Sequence, residues 1–165
     1  MIAAVEKRDF DGLMLLVDDR ALVDFGGGEG KDAFRSAWEL GSAGQSKVWD
    51  ELKEALSLGC ALRESVAVAP SFPSQLDPDA DMFESALAVH PGALVRDKDG
   101  KALGKLDWEV VTVIELPEQG DARIKLADGR EAYVAPGDLR SAADYRLTME
   151  RKSGAWKITA FVAGD

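Results

Sequence analysis

The chain has one cysteine, one histidine and far fewer basic than acidic residues, and each shortage removes a class of function. A single thiol, Cys60, has no partner for an internal disulfide, so packing alone must hold the fold. Zinc bound by imidazole and thiolate needs several such ligands at matched spacing, and His90 and Cys60 are the whole supply. Lys and Arg number 20 against 30 Asp and Glu, a net charge of -10, and a surface of that sign repels a phosphate backbone, which argues against nucleic acid as a partner. No apolar run reaches the about 20 residues that a membrane helix needs, so no membrane span is expected. The opening Met1 to Arg8 lacks a signal-peptide core. The expected location is the cytoplasm, or the periplasm or cell envelope where a leader has been trimmed.

What is present suffices for a stable core. With 165 residues and 46% hydrophobic content the chain can form one generous domain or two small ones sharing a core. Ile2, Val5, Phe10, Leu13, Leu16 and Val17 approximate one apolar helix face, with Asp9 or Asp11 placed to cap a break. Ala21 to Phe25 alternates like a short strand before the glycine-rich loop Gly26 to Gly30. Ala33, Phe34, Ala37, Trp38 and Leu40 predict a short helix. Val48, Trp49, Leu52, Ala55 and Leu56 predict another, beginning near Ser46 and stopped by Gly59. Leu62 to Ala69 turns strand-like, and Pro70 to Asp81, with three prolines, reads as a linker or lid. Beyond Met82 short strands follow almost without a break, separated by Asp99-Gly100, Gly120-Asp121, Asp128-Gly129 and Ser153-Gly154 turns, a pattern that predicts a small barrel.

Several chemical motifs are imitated and none is complete. Asp77-Pro78-Asp79-Ala80-Asp81 begins like a calcium loop, but Met82 stands at the sixth position and Ala88 at the twelfth, where glycine and glutamate belong. A phosphate loop ending at Lys31 would need glycine where Phe25 stands and Ser or Thr where Asp32 stands, and the Asp32 carboxylate repels phosphate. A dinucleotide fingerprint fails at Lys31. No Gly-x-Ser-x-Gly elbow accompanies His90, which precedes Pro91-Gly92 as a turn residue. No cofactor is expected. Trp38, Trp49 and Trp156 fall in apolar periodicities and are expected in the core. Trp108 and Tyr133 are the aromatics that would line a binding face, with Asp107 and Asp138 beside them to receive a cation.

Residues 89–141 resemble the bacterial SH3 family. The matching parts are Ala93-Leu94-Val95-Arg96, the Gly104-Lys105-Leu106 step, the strand Glu109 to Glu115, the hairpin Arg123 to Val134 and the turn Asp138-Leu139-Arg140. Ala132 stands where the family has glycine, and Asp121 or Ala122 where an aromatic often opens the hairpin. The flanks resemble the cystatin-like fold of nuclear transport factor 2 and ketosteroid isomerase: the break at Arg8-Asp9-Phe10, then Leu22 to Phe25 leading to Gly30 to Phe34, and the closing hairpin Arg151 to Ile158.

Taken together, these readings predict an α+β protein: a helical N-terminal half over 1–84, an SH3-like barrel over 88–142, and a C-terminal hairpin over 143–165 that packs back on the first half. The first resemblance implies a non-catalytic module that binds a peptide or a cell-wall component in the bacterial envelope. The second implies an alternative, a small-molecule pocket or isomerase-like site in which Asp24 faces a pocket walled by Phe25, Phe34 and Trp38 and acts as general base. Oligomeric state is left open.

Overall fold

A computed structural model describes residues 1–40 and 46–164. It divides into two compact units, one formed by 1–75 with 144–165 and the other by 76–143.

The first unit opens with α1 (Ile2–Glu6) and α2 (Phe10–Leu16). Arg8, at φ 50, separates them, and the Asp9 carboxylate caps α2 by accepting from the Gly12 N–H at 3.0 Å. Strand β1 (Val17–Leu22) follows directly, then α3 (Gly30–Ala37), α4 (Val48–Ser57), β2 (Ala61–Arg63), β3 (Val66–Ala69) and a 3-10 turn, Phe72–Gln75. Helix α4 begins where the Ser46 hydroxyl accepts from the Val48 N–H and donates to the Trp38 carbonyl. The unit is completed from the far end of the chain by β11 (Arg146–Lys152) and β12 (Ala155–Val162), giving a five-stranded sheet in the order β1-β12-β11-β3-β2. Only β1 and β12 run parallel. Ser153 and Gly154, both at positive φ, make the two-residue turn whose twist suits an antiparallel hairpin. Leu13, Val17, Phe34, Leu52, Leu147, Ile158 and Phe161 are fully buried in one core.

This architecture corrects the expectation of a helical N-terminal half. Of the described residues 37% are strand and 23% helix, in two sheets of five and seven strands with four α-helices. Three of the strands lie before Pro70. The helix face read through Leu16 and Val17 ends at Leu16, and the strand read at Ala21 to Phe25 lies earlier, at Val17–Leu22. Val17 and Ala21 are buried in the core on one face of β1, a segment made a strand by its pairing with β12. Spacing within the segment suits a helix equally well, so distant pairing decides. Trp38 and Trp49 are buried as read, whereas Trp156 is half-buried.

Asp18 ties this sheet together. Its carboxylate accepts from the Arg20 N–H at 3.0 Å and meets Lys152 Nζ at 3.1 Å. The backbone hydrogen bond from Arg20 is the largest influence; burial opposes it, and the Lys152 ammonium adds to it, so that the pKa lies below the ordinary 3.8. A carboxyl whose pKa is lower folded than unfolded stabilises the fold above its unfolded value, and that contribution disappears as pH falls through the folded value. Asp18→Asn is therefore expected to cost about 1 kcal/mol at neutral pH. Denaturant melts of both proteins from pH 7 downward should converge below the ordinary carboxylate range.

The second unit holds β4 (Ser85–Ala88), β5 (Ala93–Arg96), β6 (Ala102–Leu106), β7 (Val110–Glu115), β8 (Ala122–Lys125), β9 (Glu131–Val134) and β10 (Leu139–Ser141), the last after a 3-10 turn, Pro136–Asp138. The sheet order is β10-β4-β7-β8-β9-β5-β6, with every pairing antiparallel. Ala88, Ala122, Ile124, Ala132 and Val134 are fully buried in its core beside Val95, Leu106 and Val111. Small residues there let the strands approach, and alternation turns their neighbours outward.

Candidate functional site

The outward face of the second unit carries the site. Strand register sets Arg96 opposite Tyr133, Tyr133 opposite Arg123, and Arg123 opposite Glu115, one row across β5, β9, β8 and β7. Val95, Ala122, Ile124, Ala132 and Val134 fill the alternate, inward positions, so the row must face out. Tyr133, Arg123 and Glu115 with Pro117 and Asp121 line a surface groove of about 290 Å³. Within the row, Arg123 bridges Glu115 at 3.4 Å and Glu131 at 3.3 Å, and Arg96 meets Asp121 at 3.5 Å. These contacts are longer than the 2.7–2.9 Å of tight charge-assisted bonds.

Of the residues singled out in the sequence, Tyr133 alone lines this groove; Trp108, Asp107 and Asp138 do not. Trp108 sits between β6 and β7, 50% exposed and at φ 59. Left-handed backbone disfavours a bulky side chain by about 1–3 kcal/mol, so neither burial nor backbone geometry accounts for a tryptophan there. Asp107, next to it, is exposed. Asp138 is occupied: its carboxylate lies 3.1 Å from His90 Nδ1 and its carbonyl accepts from the Val89 N–H, which ties the 3-10 turn to the end of β4.

Asp24 has the surroundings of a turn residue. It is exposed and accepts from the Gly28 N–H at 3.0 Å, closing the glycine turn, while Phe25 is 57% exposed and Phe34 and Trp38 are buried in the core. In the calcium-like loop the carboxylates cap their own backbone, Asp77 accepting from the Asp79 N–H and Asp81 from the Phe83 N–H. Among the described residues no three His, Cys, Asp or Glu side chains are grouped to hold a metal, and no helix is long and apolar enough to cross a membrane.

No family model matches the chain, and no curated protein or solved structure does. Arg96, Glu115, Pro117, Asp121 and Arg123 were not read from the sequence as site residues. The alternation of Arg123 with the apolar Ala122 and Ile124 was a signal that they face solvent, but their assembly into one row depends on the register of three strand pairs.

Proposed function

We propose that residues 76–143 form a non-catalytic module that binds a peptide or a peptide-bearing cell-wall component of the bacterial envelope. The observation that carries this reading is Tyr133, half-buried in a surface groove rimmed by charged side chains. A groove of that kind gives rigid aromatic contact area with polar groups that set orientation, the arrangement peptide-binding surfaces use. The resemblance of residues 89–141 to the bacterial SH3 family supports the same reading and supplies the envelope location. Trp108, outside the lining of that groove but exposed where its backbone conformation is unfavourable, is the second aromatic that the reading assigns to ligand contact.

The test is a thermal-shift and tryptophan-fluorescence titration of the full chain with muropeptides and with short basic and proline-rich peptides. A ligand of the folded state raises the melting temperature by mass action. Tyr133→Leu is expected to weaken binding about tenfold, the usual cost of losing an aromatic anchor. Trp108→Gly is expected to weaken binding while leaving the protein as stable or up to about 1 kcal/mol more so, through relief of the left-handed backbone. Titrations in which no member of the panel shifts either signal would sink the proposal.

A further inference from the structure

A tyrosine flanked by two arginines would ordinarily be capped by one of them, since a guanidinium over an aromatic face is favourable. Tyr133 has Arg96 and Arg123 as its cross-strand neighbours on either side, yet neither guanidinium stacks on the ring. Both are drawn aside, Arg96 to Asp121 and Arg123 to Glu115 and Glu131. The terminal nitrogens of Arg123 are thereby engaged, and its Nε is buried without a hydrogen-bond partner. Of the side chains lining the groove, Arg123 is the one cationic donor, and both of its terminal nitrogens are turned to carboxylates.

Acceptor capacity does face it. A carboxylate offers about four lone-pair sites, and in the groove Glu115 and Asp121 each meet a single guanidinium, at 3.4 and 3.5 Å. The lining groups are two carboxylates, one guanidinium, the tyrosine ring and Pro117, so the groove is biased negative within a chain of net charge -10. A carboxylate ligand would have to displace the acids already on the arginines and enter against that bias. An ammonium would break no existing pair, and would enter a groove lined by an uncapped ring and two carboxylates against one guanidinium.

We propose that this groove takes the primary ammonium of a lysine-type side chain of a peptide, seated over Tyr133 between Glu115 and Asp121 with its alkyl stem along Pro117. A lysine-type amine is chosen over a free amino terminus because its stem supplies apolar contact for the proline and the ring. The proposal rests on the binding role of the same groove and names the group it recognises.

The probe is acetyl-Ala-Lys-Ala-amide, whose only charge is the side-chain ammonium, titrated into the full ¹⁵N-labelled chain. Saturable amide shifts are expected at Glu115, Asp121, Arg123 and Tyr133. Acetylating the lysine Nε, or combining Glu115→Gln with Asp121→Asn, should weaken binding about tenfold, and added salt should weaken it further. Because both acids are surface residues, the double variant keeps the test meaningful if Tyr133 variants fail to fold. Equal binding of the acetylated peptide, tighter binding of acetyl-Ala-Glu-Ala-amide, or binding of Ala-Ala-Ala-amide through its amino terminus in place of the lysine peptide would each overturn the ammonium assignment. If muropeptides shift these amides and the lysine peptide does not, the assignment falls and the binding module stands. Silence at these amides from every probe overturns both.

Discussion

Phe161→Ala is expected to destabilise the first unit by about 3–5 kcal/mol, the cost of removing a fully buried aromatic ring from a packed core. Phe161 has no exposed surface, and its ring lies 5.0 Å from Trp38 and 5.2 Å from Tyr145, which are themselves 4.8 Å apart. Three rings in mutual contact contribute about 0.5–1.5 kcal/mol per pair beyond the area they bury. Phe161 also belongs to β12, the strand that joins β1 to β11, so a cavity there opens beneath the strand on which the attachment of β1 depends. Three of the four tryptophans, Trp38, Trp49 and Trp156, lie in this unit, so fluorescence-monitored denaturant melts report mainly on it. Phe161→Leu, which keeps most of the volume, should lose clearly less. A double-mutant cycle with Trp38→Leu should return a coupling of about 1 kcal/mol between the two rings; a coupling near zero would show that the stacked geometry contributes nothing beyond burial.

What the sequence discloses depends on how far apart the deciding residues lie. Helix α4 is written locally: Val48, Trp49, Leu52 and Ala55 recur at helical spacing, and all are buried. Strand β12 is marked by its own β-branched and aromatic residues, and β11 by the Ser153-Gly154 turn that joins the two. Strand β1 is not written locally. Leu13, Leu16 and Val17 continue a helix face, and only parallel pairing with β12, nearly the whole chain away, makes Val17 the first residue of a strand. The same distinction governs the site. Tyr133 stands out as an aromatic next to an apolar position in a short strand, but nothing in its own segment reveals that Arg96, Arg123 and Glu115 share its row. Asp138 shows the same dependence on distant residues, because its partner His90 lies 48 residues away in the chain.

Ile124→Ala should produce the largest loss in the second unit, about 2–5 kcal/mol for truncating a fully buried branched side chain, against about 0.5–1.5 kcal/mol for Ile124→Val. Ile124 lies on β8 with its side chain in the core and pairs with Ala132 of β9. That core is built from small residues, five of its ten fully or nearly buried members being alanine. Few long side chains are therefore at hand to collapse into the space a lost isoleucine leaves, which places the expected cost toward the upper end of the range. The consequence reaches the opposite face. Arg123 precedes Ile124 on the same strand, and its position opposite Tyr133 and Glu115 holds the groove together. Amide hydrogen exchange resolves the two effects. Ile124→Ala should speed exchange across β8 and β9 and weaken ligand binding in parallel, whereas Glu115→Gln should weaken binding with exchange unchanged, since surface substitutions away from the core usually stay within about 0.5 kcal/mol. Unchanged exchange in Ile124→Ala would mean that β8 is held by its ladder hydrogen bonds rather than by its core contacts, and the groove would then owe its shape to strand pairing alone.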